Sequence, residues 1–442
     1  MIGFFKENST LYYFLLLGIA LRIFLFVTLP PFGVDAHGEI INFLVTKGRL
    51  PLSREAFCAM HPPLYYLLAA PFFLMDEFSS QKVTQLFSLI LSIGNLYVLY
   101  LLCIKLFKNN ALRNVSFLLA VFLHSLVTFS LYVSNDTLAF FLGSLLFLYL
   151  HQYIRKPSQS KEILLAILLG LGLLTKGTFL AFAPPLVAVV GLSLWKKELT
   201  FGRIFFRVFV FCLLFCSVGS YKFFENYLAE GRFIVHNIEF FQYMPAGSYI
   251  GIKSFLLFDF KRLLLNPTFF EGDFYLEHLY SILFYATFWY KYMEPFNGFE
   301  LGSQTSFKYM GSLIYMAGLV PTLLILLGFA RKTISSFSFL FTFKNLNSAL
   351  FAKRLEEAAW ISMLVLSLIL VLMAGLKYDV WVCFQSRLLL QAFFPILWLL
   401  YVGLETIQKK SGFLLATGVG SILLVSLLYL IYYLTEGIFV LY

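Results

Sequence analysis

The chain has 442 residues, of which 60% are hydrophobic, 19% aromatic and only 13% charged. Soluble domains are roughly 45–50% apolar and about 25% charged, so the composition excludes a soluble globular protein and also a disordered one. The net charge of +10 falls mainly in segments that the span pattern places on the cytoplasmic side, where basic residues are favoured. The charge therefore indicates no nucleic-acid partner.

Eleven apolar runs predict transmembrane helices, because a span needs about 20 predominantly apolar residues. They lie at about 11–29, 83–104, 115–132, 137–153, 162–175, 178–195, 208–224, 309–330, 358–376, 388–405 and 413–434. The sequence therefore predicts an all-α polytopic membrane protein.

The distribution of charge predicts the orientation of these helices. If the N-terminus lies inside, the inside segments hold 18 of the 33 basic residues but only six of the 23 acidic ones. This positive-inside bias places the C-terminus outside. Two long outer loops, about 30–82 and about 225–308, are rich in Phe and Tyr and predict short helices on the outer membrane surface. We expect residues 1–442 to form a single transmembrane domain without a separate soluble domain.

The first outer loop carries a cluster of titratable residues. Pro30 and Pro31 end the first helix, so Asp35, His37 and Glu39 follow just beyond the membrane boundary. If Asp35 caps a new helix, it shares one face with Glu39 at i and i+4. Such a cluster suits either acid–base chemistry or a divalent cation such as Mg²⁺ or Mn²⁺.

The five cysteines form no CxxC pair and show no Cys/His spacing typical of a metal site. They therefore predict no metal centre of that kind. A disulfide between Cys58 and Cys383 outside the cytoplasm stays open.

Five short elements follow one another along the chain and share the predicted outer face. They are Gly48-Arg49-Leu50-Pro51, His61-Pro62-Pro63-Leu64-Tyr65-Tyr66, Ser134-Asn135-Asp136-Thr137-Leu138-Ala139, Leu173-Leu174-Thr175-Lys176-Gly177-Thr178 and Gln385-Ser386-Arg387-Leu388. In this order they resemble the GT-C glycosyltransferases, in the branch related to protein O-mannosyltransferases and aminoarabinose lipid A transferases. The resemblance covers about residues 11–400.

The resemblance implies a GT-C-like fold and a sugar, a hexose such as mannose, carried by a polyprenyl phosphate. Transfer to a hydroxyl of a protein, lipid or glycan acceptor then proceeds on the non-cytoplasmic face by single displacement with inversion. The site would face the periplasm or cell exterior from an inner or plasma membrane, or lie in the endoplasmic-reticulum membrane of a eukaryote.

The resemblance also implies roles for particular residues. Asp35 is the expected base and Asp136 a second catalytic carboxylate, and His37 and Glu39 support Asp35. The expected contacts to the donor phosphate are Lys176, Arg387 and His61. A metal ion, if bound, is expected at Asp35, Glu39 and Asp136.

Simpler roles stay open for several of these residues. Asp136 suits a helix cap, His61 suits a turn residue, and Lys176 and Arg387 suit snorkelling to lipid headgroups. Arg22, within the first span, is expected to pair with an acid or a lipid phosphate. For the whole chain the alternatives are a secondary transporter and a non-catalytic lipid-binding subunit with the same fold.

Overall fold

The computed structural model describes residues 9–29, 36–73, 77–236, 239–241, 253–267, 276, 278–290, 305–337, 347–378 and 384–439. Its helices are α1 (Ser9–Thr28), α2 (His37–Lys47), α3 (Leu64–Ala69), α4 (Glu77–Leu106), α5 (Asn110–Phe122), α6 (His124–Thr128), α7 (Asn135–Arg155), α8 (Gln159–Thr175), α9 (Ala183–Trp195), α10 (Phe201–Gly219), α11 (Tyr221–Glu230), α12 (Lys253–Leu256), α13 (Phe260–Leu265), α14 (Tyr280–Trp289), α15 (Thr305–Phe337), α16 (Ser348–Tyr378), α17 (Phe393–Gln408) and α18 (Gly412–Phe439). Short 3₁₀ segments span Ala70–Phe72, Gly177–Phe182 and Ser386–Ala392.

Within these ranges, nine helical segments are long and apolar enough to cross a membrane. Nine of the eleven predicted spans fall on them, so the prediction of a polytopic α-helical membrane protein is confirmed. The other two spans, about 115–132 and 162–175, fall on shorter helices of 13 and 17 residues, α5 and α8. The count of eleven and the orientation stay predictions.

The predicted span at about 115–132 is broken because the chain leaves the helical conformation at Leu123, where φ is −51° and ψ is 124°. The chain then forms the one-turn helix α6 and a buried, non-helical stretch that leads to Ser134. As a result, the N-terminus of α7 lies inside the protein, and with it the predicted site residue Asp136.

The loop predicted at about 30–82 contains the helices α2 and α3. Helix α2 ends at Gly48, whose φ of +66° is readily adopted only by glycine and so provides the C-terminal turn. Beyond it, Arg49 makes two parallel hydrogen bonds to Glu55, at 2.7 and 2.8 Å. The pKa of Glu55 is lowered to about 2, mainly by the hydrogen bonds from Arg49. The Gly-Arg-Leu-Pro element therefore closes a turn between α2 and the segment from His61 to Tyr66, which we call the His61 box.

A buried arginine joins α1 to two later helices. The Nε of Arg22 donates to the Oγ of Ser92 in α4 at 3.0 Å. Its Nη1 donates to the carbonyls of Gly18 at 3.0 Å and Val121 at 3.1 Å. Val121 lies in the last turn of α5, where carbonyls have no partner within the helix. The expectation that Arg22 pairs with an acid or a lipid phosphate is therefore wrong, because Arg22 is buried and donates to a hydroxyl and two carbonyls.

The opposite end of α7 carries a different set of charges. Arg155 and His151 lie 3.6 and 2.6 Å from the carboxylate of Glu356 in α16. Glu162 in α8 accepts hydrogen bonds from Arg207 at 2.7 and 2.9 Å. The basic residues that the sequence assigns to the inside are thus partly neutralised by neighbouring acids at this end.

Helix α7 packs closely against the 3₁₀ segment Ser386–Ala392 because Gly143 has no side chain. A Cβ at Gly143 would lie 2.1 Å from the carbonyl oxygen of Gln391. This close approach holds the segment that carries Arg387 against the helix that carries Asp136.

We expect Gly143→Ala to lower stability by about 1–3 kcal/mol, because the extra methyl group forces two backbones apart. Gly420→Ala is the matched control, since a Cβ at Gly420 meets nothing within 4 Å. The measurement is the apparent unfolding temperature of the purified protein in detergent. Equal unfolding temperatures for the two variants would contradict the close packing at Gly143.

Candidate functional site

The centre of the candidate site is a buried ion pair between Asp136 and Lys176. Asp136 stands in the first turn of α7, and Lys176 directly follows the last residue of α8. The Nζ of Lys176 donates to Oδ1 of Asp136, and the two side chains are only 6% and 3% exposed. The amide of Asn135 also donates to the carbonyl of Thr175 at 3.2 Å. These two contacts join the start of α7 to the end of α8.

Helix dipoles favour this placement of the two charges. A carboxylate is stabilised at a helix N-terminus and an ammonium group at a C-terminus, as Asp136 and Lys176 are here. The cap of α7 is Ser134, whose Oγ accepts from the N–H of Asp136 at 3.2 Å and donates to its Oδ2 at 3.2 Å. The capping role considered for Asp136 is therefore wrong. Snorkelling by Lys176 is also wrong, since its ammonium group is buried in the protein.

Arg387 lies on a segment that contacts both halves of this site. Its guanidinium carbon is 5.7 Å from the ring centroid of Phe129, a cation–π distance. The carbonyl of Phe129 in turn accepts from Thr137, the residue after Asp136, at 2.7 Å. On the other side, Thr178 donates to Gln391 at 2.5 Å. The segments that carry Asp136, Lys176 and Arg387 are far apart in sequence and thus pack together in the structure. Arg387 is buried, so the alternative that it snorkels to lipid headgroups is wrong.

The His61 box forms a second polar cluster beside α2. His37 begins α2, and its Nδ1 lies 2.8 Å from the hydroxyl of Tyr66. The rings of His37 and His61 are 5.4 Å apart between centroids. The ligand atoms of His37, Cys58 and His61 all lie within 4.8 Å of one another. Sequence reasoning missed Cys58, although the Cys58-x-x-His61 spacing was a usable signal.

The neighbouring Tyr65 connects the two clusters. Its hydroxyl lies 3.2 Å from Oγ of Ser88 in α4, and the backbone N–H of Ser134 is near enough to favour the charged form of the phenol slightly. Burial raises the pKa of Tyr65, so the phenol stays protonated. Tyr66 contacts His37, while Tyr65 contacts α4 and lies near the start of α7, so the His61 box lies between the two clusters.

A small pocket opens beside His61. It encloses about 200 Å³, including space open to solvent, and is lined by Ile40, Leu50, Pro51, Ala59, His61, Pro63, Tyr66, Tyr221, Lys222 and Glu225. Lys222 is buried and ion-paired with Glu225. Burial lowers the pKa of Lys222, although the charge of Glu225 opposes that effect. Sequence reasoning missed this lysine, since nothing in the sequence relates it to a histidine 161 residues earlier.

The remaining predicted residues do not join these clusters in the part of the chain that the structure describes. Glu39 is exposed on α2. Asp35 lies outside the described residues, as does Cys383, so the role of Asp35 and the disulfide stay predictions. The N-cap position of α2 is Ala36, and the conditional capping role of Asp35 stays a prediction. Among the described residues, neither Glu39 nor Asp136 belongs to a group of three potential metal ligands.

The fold defines a multi-pass α-helical membrane protein, and comparison with known proteins adds the family resemblance. Residues 60–221 match the family model described as dolichyl-phosphate-mannose-protein mannosyltransferase. This match confirms, over that segment, the resemblance to GT-C membrane glycosyltransferases that the motifs indicate. It spans the His61 box, Asp136 and Lys176. No curated protein matches the chain.

Two solved structures are similar to this chain. Crystal structures of ArnT from Cupriavidus metallidurans match in the apo state and in the state bound to undecaprenyl phosphate. The first is 14% identical, with 89% of this chain and 77% of that chain covered and a TM-score of 0.39. The second is 13% identical, with 91% and 78% covered and a TM-score of 0.39.

Removing one partner of the Asp136–Lys176 pair should destabilise the protein strongly, because it leaves the other charge buried and unpaired. We expect Lys176→Met to cost about 3–5 kcal/mol. The double variant Asp136→Asn/Lys176→Met should regain much of that loss, since no buried charge then remains. Apparent unfolding temperatures in detergent measure both effects. A double variant no more stable than Lys176→Met would show that the pair does not control stability here.

Proposed function

We propose that this protein is an integral-membrane glycosyltransferase that transfers a sugar from a polyprenyl-phosphate donor to an acceptor hydroxyl on the non-cytoplasmic face. One observation carries the proposal. The segment that matches the mannosyltransferase family model, residues 60–221, contains the buried Asp136–Lys176 pair and the His61 box. Buried charges in a membrane protein are costly and are by default candidates for function.

The proposed reaction is a single displacement. The acceptor oxygen attacks the anomeric carbon of the donor while its proton passes to the carboxylate of Asp35, the proposed base. The bond between the anomeric carbon and the phosphate oxygen breaks, and polyprenyl phosphate leaves with the electron pair. The anomeric centre is thereby inverted.

The leaving phosphate needs positive charge nearby. Arg387 is the strongest candidate, because a guanidinium group binds phosphate oxygens in a bidentate manner. Lys176 already has Asp136 as its partner, so we propose that the carboxylate positions the ammonium group and that the two share contacts with the donor. His61 is half-buried and lines the same pocket as Lys222, and it is the third proposed phosphate contact.

The orientation of the site follows from the predicted topology. The positive-inside pattern assigns the start of α7 and the end of α8 to the outer side. A donor on a long lipid reaches such a site from within the membrane. A buried site also excludes water, which would otherwise hydrolyse the donor. A hexose such as mannose is the proposed sugar, and the acceptor is a hydroxyl of a protein, lipid or glycan.

The test measures release of polyprenyl phosphate from labelled polyprenyl-phosphate hexoses by the purified protein in nanodiscs. A panel of acceptors is supplied, with Mg²⁺, with Mn²⁺ and with a chelator. We expect turnover by the wild type, and about 10²–10⁴-fold slower turnover by Asp35→Asn, the range typical of a lost general base.

The matched control is Asp259→Asn in the second outer loop. Asp259 caps α13 by accepting from the N–H of Arg262 at 3.1 Å. Asn caps a helix as well as Asp does, so this control should keep full turnover. If Asp35→Asn is as fast as the wild type, Asp35 is not the base. If the folded protein neither turns over nor binds any donor but moves solute across vesicles, the transferase proposal is wrong and a transporter takes its place.

A further inference from the structure

Three potential metal ligands converge next to the pocket. His37 is the first residue of α2, whereas Cys58 and His61 lie in the loop between α2 and α3. His37 and Cys58 are buried and His61 is half-buried. One ligand atom from each lies within 4.8 Å of the other two. The group is formed by two segments of the first outer loop that the chain brings together.

The loop conformation directs Cys58 and His61 towards one point. The N–H of His61 donates to the carbonyl of Cys58 at 3.1 Å, which closes a tight turn over the Cys-x-x-His sequence. Ligands separated by two residues on such a turn are the usual way in which a short loop supplies a pair of metal ligands. Pro62 and Pro63 follow directly, and their fixed φ angles stiffen the exit of the turn.

The donor set favours a particular ion. Two imidazole nitrogens and one sulfur suit Zn²⁺, whereas Mg²⁺ and Mn²⁺ prefer oxygen ligands. In a tetrahedral Zn²⁺ site these donors lie about 3.4–3.6 Å apart, as follows from the usual bond lengths. Side-chain movements of roughly 1 Å would therefore bring all three to one ion.

A hydrogen bond from outside the group prepares His37 for this role. The hydroxyl of Tyr66 lies 2.8 Å from Nδ1 of His37 and donates to the carbonyl of Cys58 at 3.5 Å. The short contact to Tyr66 holds the imidazole ring of His37 in one orientation beside Cys58 and His61. Metal-binding histidines are typically oriented in this manner by a partner on the second nitrogen.

We propose that His37, Cys58 and His61 bind one Zn²⁺ ion, with Tyr66 as the residue that orients His37. Three protein ligands leave a fourth position for water or for an incoming ligand. His61 and Tyr66 also line the pocket that Lys222 and Glu225 reach, so a molecule in that pocket lies next to the ion. The proposal concerns metal binding and does not depend on the transferase activity.

The first experiment measures bound metal directly. The full-length protein is purified without a histidine tag, stripped with a chelator, reloaded with ZnCl₂ and analysed for zinc by mass spectrometry. We expect about one Zn²⁺ per chain. Cys58→Ser should lose the ion, whereas the matched control Cys216→Ser should keep it, because Cys216 is an exposed residue of α10. Wild type without zinc, or Cys58→Ser with as much zinc as Cys216→Ser, overturns the proposal.

The second experiment tests the orienting role of Tyr66 and also covers the case in which Cys58→Ser does not fold. Removing a hydrogen bond to a metal-binding histidine typically weakens metal affinity about 10–100-fold. We expect that loss for Tyr66→Phe in a competition titration of ZnCl₂ against a coloured chelator. Wild type loaded with Co²⁺ should show a thiolate-to-cobalt charge-transfer band. If Tyr66→Phe binds zinc as tightly as the wild type, Tyr66 does not orient His37. If the cobalt band is absent, Cys58 is not a metal ligand.

Discussion

The buried ion pair between Asp136 and Lys176 is the constraint on which the arrangement of the candidate site depends. It forces the N-terminus of one helix against the C-terminus of another, so that each charge also meets the favourable end of a helix dipole. Buried ion pairs are often no more stabilising than apolar side chains of similar size. Stability alone is therefore a weak reason for such a pair, and a role in binding a charged substrate is a stronger one.

The polar groups of the site are held by the packing of several separate segments. The break at Leu123 brings the start of α7 into the protein interior, and the missing side chain at Gly143 lets the Arg387 segment approach it. Tyr66 contacts His37, and the adjacent Tyr65 contacts Ser88 of α4. Each polar group is thus oriented by a neighbour that does not itself need to react, as a preorganised binding site requires.

The sequence predicted the membrane fold well because hydrophobic length is a direct physical signal. It could not reveal that the span near 115–132 breaks, since an apolar run looks the same whether it continues as one helix or bends inside the protein. Motif order identified Asp136, Lys176 and Arg387 as one set. Their pairing could not be read from the sequence, because residues 40 and more apart approach only through tertiary packing. The Cys58 and His61 turn was readable but was passed over, since its third ligand comes from another segment.

Arg22 has a consequence for how the protein is made. Its hydrogen-bond partners, Ser92 and Val121, follow it by 70 and 99 residues, so they are synthesised well after the first helix has left the ribosome. An arginine near the centre of an isolated span opposes insertion by about 2.5–3.5 kcal/mol. When the first helix enters the bilayer, Arg22 therefore still lacks two of its hydrogen-bond partners. These partners arrive later, with the helices that carry Ser92 and Val121. The hydrogen bonds of Arg22 to these two helices are accordingly complete only after both helices have been synthesised.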